Sequence, residues 1–148
     1  MMGVLTYLTG DSSILYKCEE LSAEYFTYLK KKNKAFQPTR WSERERQYNR
    51  CYNSLVVVCE DSANHYPVGY CIVCLYDRGR RGVIEELYVR EELRNAGVGS
   101  KLMQFAVKWL MDQNIKQQEL LVKYGDETAL RFCEKFDFVP QDYVLIRK

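Results

Sequence analysis

Two stretches of the sequence carry groups that could do chemistry. The first is a pair of adjacent carboxylates, Glu85 and Glu86, inside the apolar run Val83-Ile84-Glu85-Glu86-Leu87-Tyr88-Val89. Burying a carboxylate without a partner is costly, so an acid among apolar residues needs a reason. Accepting a proton is one such reason. Consecutive strand residues face opposite sides, so at most one of the two is expected to enter a given cleft. A bulge would exchange their directions, and a strand end would leave both exposed. The second stretch is Arg94-Asn95-Ala96-Gly97-Val98-Gly99, leading into Ser100 and Lys101. It joins the apolar run to a helix, whose first turn offers unpaired N–H donors and the positive end of the helix dipole. That is a seat for an anion such as phosphate, and Gly97 and Gly99 would let it approach the backbone closely. On the glycines alone, an ordinary strand-to-helix turn is the alternative. Two rival phosphate motifs fail on their residues: no Lys-Ser or Lys-Thr follows a six-residue glycine loop, so this is not a P-loop, and Leu102 stands where a dinucleotide fingerprint has its third glycine.

These groups need elements to hold them. The run Val83 to Val89 reads as a strand. Val98, Leu102, Phe105, Ala106, Trp109 and Leu110 recur at helical spacing and make one apolar face. Upstream, Val4 to Leu8 is a short strand, and Asp11, Ser12 or Ser13 caps a helix that ends at the lysines from Lys30 to Lys34. A polar helix follows from Trp41 to Cys51. Strands at Leu55–Cys59 and Tyr70–Tyr76 then form a three-strand meander with the Glu85 strand. Glu119–Val122 is a strand, Asp126–Phe136 a helix and Tyr143–Ile146 a last strand.

The composition excludes several function classes. The chain has 148 residues, 47% hydrophobic and 28% charged, which suits one soluble domain. A net charge of +2 gives no whole-molecule case for nucleic acid. No apolar run approaches a bilayer span and no signal peptide is visible, so neither membrane nor export is expected and the default location is cytoplasmic. Six cysteines in such a chain read as reduced thiols. Cys71 and Cys74 form a C-x-x-C, but on a strand they face opposite ways and cannot grip one metal, and His65 is the single histidine. No metal is expected. Residues 28 to 50 hold eight basic side chains against two acidic ones. They form a solvated face or, alternatively, an acceptor site for a molecule with negative charge beside its amine.

The Arg-x-x-Gly-x-Gly loop after Leu87-Tyr88-Val89 resembles the acetyl-CoA pyrophosphate loop of the GNAT superfamily of N-acetyltransferases. Val122, Asp126, Ala129, Phe132, Cys133, Lys135, Asp137 and Phe138 fall on a second signature of that family, V-x-x-x-N-x-x-A-x-x-F-Y-x-K-x-G-F. Three positions depart from it: Asp126 for Asn, Cys133 for Tyr and Asp137 for Gly. The resemblance implies an α/β (α+β) fold, one domain over residues 1–148. It has a mixed, mostly antiparallel sheet splayed at its centre and about four flanking helices. It also implies acetyl-CoA as co-substrate. Leu87, Tyr88 and Val89 would run along its pantetheine arm, and Arg94, Asn95, Ala96, Gly97, Val98, Gly99, Ser100 and Lys101 would hold its pyrophosphate, with Asp126 nearby. The expected reaction is acetyl transfer to a primary amine, of a small molecule or a peptide, with a homodimer left open. Glu85 is the first candidate base and Glu86 the second. Cys133 stands where the family's acid stands, with Tyr124 another side chain that could reach in. The rival reading is a CoA-binding module without turnover, which Cys133 favours.

Overall fold

The structure, a computed structural model, describes residues 3–147. Its strands are β1 (Leu5–Gly10), β2 (Asn53–Asp61), β3 (Tyr66–Tyr76), β4 (Arg81–Val89) and β5 (Gln117–Leu120). Its α-helices are α1 (Glu19–Lys32), α2 (Trp41–Arg50), α3 (Val98–Asp112) and α4 (Glu127–Glu134). A tighter 3-10 stretch, Ser12–Cys18, precedes α1, and the Asp11 carboxylate accepts from Ser13 N at its start. The strands lie side by side in chain order, antiparallel from β1 to β4 and parallel between β4 and β5. The mixed, mostly antiparallel sheet and its four helices thus match the expected architecture.

Period-two alternation explains why β2 and β3 read as nearly continuous apolar runs: both faces of the sheet are covered. Val57, Cys71, Val73, Leu75 and Ile84 face Leu102, Met103, Ala106 and Leu110 of α3. Val56, Val58, Tyr70, Ile72 and Cys74 face Leu15, Leu21, Leu29 and Tyr48 on the other side. Cys71 and Cys74 accordingly belong to different cores, and all six cysteines are free. The α3 contact is tight at Gly82, where an added Cβ would stand 2.4 Å from Leu110 Cδ2.

β5 pairs with only the first half of β4, from Arg81 to Ile84. The last bond between them runs from Leu121 N to Ile84 O, 3.2 Å. Beyond it Glu85 to Val89 have no strand partner on that side, and the sheet opens there. Two expectations need correction at the C-terminal end. Helix α4 stops at Glu134 rather than Phe136, and Asp137 takes a left-handed conformation, φ 68°. That conformation suits glycine and is tolerated by Asp. Tyr143–Ile146 forms no strand, and its four side chains are 80–91% exposed. Among the described residues no helix is long and apolar enough to cross a membrane.

Candidate active site

A break in the β3–β4 register places the two glutamates. Ile72 pairs with Glu86 and Val73 with Ile84, so Glu85 is an extra residue on β4 with no partner on β3. Such a bulge resets the alternation. Ile84 faces α3, while Glu86 and Tyr88 both face α1 and α2. Glu85 reaches the α2 side as well, because its Oε1 accepts from Tyr76 Oη at 2.9 Å. The expectation that the glutamates face opposite sides is therefore corrected, and the bulge is the reason.

Their surroundings differ. Glu86 is 3% exposed and accepts from four donors on three elements. Ser22 Oγ and Tyr70 Oη bond Oε1 at 2.7 and 2.6 Å, while Tyr48 Oη and Arg44 Nε bond Oε2 at 2.5 and 3.1 Å. Arg44 also donates to Ser22 Oγ and to Thr39 O, and its guanidinium lies 3.7 Å from the Phe26 ring centre. A carboxylate with every lone pair engaged and a guanidinium beside it is fixed in place. Glu85 is half-buried with one hydroxyl donor. Burial pushes its pKa up, against the Tyr76 hydrogen bond and the charges of Lys123 and Arg81, which pull it down. Tyr76 Oη in turn accepts from Gln47 Nε2 at 2.9 Å. Glu85 thus has a free lone pair and a raised affinity for a proton, both of which suit a base.

The glycine loop meets the open part of the sheet. After Val89 the chain makes one 3-10 turn, Glu91–Leu93, and reaches Gly97, whose φ of 83° makes it the left-handed N-cap of α3. No side chain caps the helix and no acidic residue lies in its first turn. The first helical bond here is Lys101 N to Gly97 O, 3.0 Å, so the amides of Val98, Gly99 and Ser100 are left for a ligand or solvent. A Cβ on Gly97 would meet nothing within 4 Å, so the space over the cap is open. A Cβ on Gly99 would instead point inward, 3.4 Å from Phe132 and 3.8 Å from Val89. Arg94 fixes the loop's other end. Its Nε donates to Val89 O at 3.1 Å, and its guanidinium lies 4.7 Å from the Tyr28 ring centre and 5.5 Å from that of Tyr88. Asn95 and Ala96 are exposed, Asn95 with a positive φ of 67°. The Lys101 amine lies 5.8 Å from the Phe105 ring centre.

The α4 residues are placed differently from one another. Asp126 is buried and caps α4, accepting from Ala129 N at 3.2 Å. Cys133 is 5% exposed in the α3-side core, and burial, with the carboxylates of Asp126 and Glu134, pushes its thiol up to about 11. At neutral pH such a thiol is protonated and can donate but not attack. Tyr124 is 80% exposed and does not reach inward. Sequence reasoning missed Tyr25 on α1. Its ring stacks on Tyr88 at 5.0 Å, and burial together with the nearby carboxylates of Asp126 and Glu86 raises its hydroxyl pKa. It missed Tyr76, Gln47 and the partners of Glu86 too. Twelve tyrosines without distinctive spacing offered no signal for choosing among them. Among the described residues no group of three or more His, Cys, Asp or Glu could hold a metal ion.

A stretch of 63 residues is 38% identical to an uncharacterized N-acetyltransferase of Archaeoglobus fulgidus, covering 43% of this chain and 43% of that relative. The fold is similar to that of a tetramutant of the BH1408 protein from Bacillus halodurans, TM-score 0.74 at 19% identity, over 97% of this chain and 99% of the other. It is also similar to a predicted acetyltransferase with acetyl-CoA from Clostridium acetobutylicum, TM-score 0.73 at 16% identity, over 98% and 96%. At these identities the two structures speak to the fold alone. The profile of the acetyltransferase (GNAT) family matches residues 15–138, most of the chain. This chain belongs to the acetyltransferase (GNAT) family.

Proposed function

We propose that the protein transfers an acetyl group from acetyl-CoA to a primary amine of a small molecule or a peptide. The observation that carries this reading is a juxtaposition. The uncapped, left-handed N-terminus of α3 opens beside the half of β4 that β5 leaves unpaired, and Glu85 sits at the start of that half. The first-turn amides with open space over Gly97 suit a pyrophosphate. The unpaired backbone of Glu85 to Val89 suits an extended chain laid against it as an added strand. When bound, acetyl-CoA would supply a thioester carbonyl for the amine to attack, with carbon–nitrogen bond formation and release of the thiol.

The chain's own task is mainly proton handling. An alkyl ammonium holds its proton to a pKa of about 10.4 and must lose it before attack. Glu85, with its raised pKa, would take that proton directly or through a hydroxyl bonded to it. Glu86, saturated by four donors, would hold α1 and α2 against the sheet. Cys133 would supply a neutral donor at most, and its burial favours a second reading, a CoA-binding module without turnover.

Calorimetry with acetyl-CoA tests the binding half. Gly97→Asp should place a carboxylate over the amides of α3, where it would occupy the donors and repel a pyrophosphate. Affinity should fall at least about tenfold, or about 1.4 kcal/mol, in a variant that melts like the wild type. Undiminished affinity would remove the helix N-terminus from the site.

A further inference from the structure

The hydrogen bonds of Glu85 lead away from the glycine loop, into an open cleft of about 500 Å³ between α2 and the β3–β4 turn. Arg46, Gln47, Arg50, Cys51, Tyr76 and Asp77 line it. The volume lies in the range of small-ligand sites. Tyr76 Oη is at its wall, and behind it the bonds run in one direction: Gln47 Nε2 donates to Tyr76 Oη, which donates to Glu85 Oε1, each at 2.9 Å. Glu85 therefore belongs to both places. Its backbone stands at the opening of the sheet, and its carboxylate is one phenol away from the cleft.

The cleft's charges are unevenly engaged. Asp77 is paired with Arg81 at 3.3 Å. Arg46 and Arg50 are exposed and form no ion pair among the described residues. The remaining acid, Glu43, is likewise unpaired and lies one turn from Arg46. Two other basic residues of the 28–50 stretch are committed elsewhere: Arg44 is buried on Glu86, and Lys30 donates to Lys34 O and Phe36 O. Two unpaired guanidiniums on successive turns of α2 present forked donors to one space, the geometry that suits a carboxylate or a phosphate.

Building on the acetyltransferase reading, we propose that this cleft is the acceptor site, that its acceptor is a small amine carrying an anionic group, and that Tyr76 relays the amine's proton to Glu85. Arg46 and Arg50 hold the anionic group, and the ammonium donates to the remaining lone pair of Tyr76 Oη. One proton moves from nitrogen to Tyr76 Oη as the phenolic proton moves to Glu85 Oε1. The amine is left neutral, Glu85 protonated and the phenol unchanged. Asp77, tied to Arg81, and the single free carboxylate Glu43 leave a polyamine with no comparable anchor.

Paired acceptors test this, each pair differing in one anionic group: ethanolamine against serine, ethanolamine against O-phosphoethanolamine, and butylamine against 4-aminobutyrate. The anionic member should be acetylated with at least about tenfold higher kcat/KM. The serine and phosphate arms tell which anion is taken. The double charge reversal R46E/R50E, on exposed residues, should reduce that preference to about twofold or less while acetyl-CoA affinity stays at the wild-type value. Tyr76→Phe should lower kcat with KM for the amine little changed. Binding is read separately by maleimide labelling of Cys51, which lines the cleft and is half-buried where the other five cysteines are buried. The favoured amine should protect it, and R46E/R50E should abolish the protection. Equal use of neutral amines, or a preference that survives R46E/R50E, overturns the proposal, as does unprotected Cys51 at saturating amine. Loss of acetyl-CoA binding in the wild type would overturn the transferase reading instead, and protection of Cys51 would still judge the cleft.

Discussion

Replacing Glu86 with alanine is expected to cost about 3–5 kcal/mol of stability, the range for breaking a buried ion pair from one side. The cost arises from what stays behind. Arg44 would keep its charge in a site where it is almost fully buried, and the hydroxyls of Ser22, Tyr48 and Tyr70 would lose their acceptor. Glu86→Gln should also destabilise, because the amide turns a donor toward groups that already donate. Denaturant unfolding checks both variants. A midpoint for Glu86→Ala within error of the wild type would contradict the network's role in joining α1 and α2 to the sheet.

Glu85→Gln should leave stability and acetyl-CoA affinity near wild type while lowering turnover about 10²-fold or more. The pH profile carries the sign. A base acts when deprotonated, and burial raises the Glu85 pKa, so the wild-type rate should climb through an acid limb above the ordinary carboxylate range. That limb should vanish in Glu85→Gln, and raising the pH should recover part of its rate as more amine becomes neutral. Rate loss confined to a folded Glu86→Gln would move the role to Glu86.

Much of the fold was legible because both faces of the sheet are buried and the helices carry apolar stripes. The alternation that separates Cys71 from Cys74 could be read directly, and so could the glycine loop between β4 and α3. The bulge at Glu85 could not. One extra residue leaves no mark in the residue types around it, yet it decides where both glutamates point. The four donors around Glu86 come from α1, α2 and β3, so no local spacing links them. The same holds for Gln47 and Tyr76, which are far apart in the chain. At the C-terminal end, the run Tyr143–Ile146 was expected to be a strand, but an apolar run without a partner is not structure, and these residues lie exposed.

The most direct test of the account is release of free thiol from acetyl-CoA by the wild-type protein over a panel of primary amines, with mass spectrometry of the amine product. Amine-dependent thiol release, an acetylated amine in equal amount, and loss of both in Glu85→Gln are the expected results. Tight binding of acetyl-CoA with no amine acetylated anywhere in the panel would contradict it and leave a CoA-binding module.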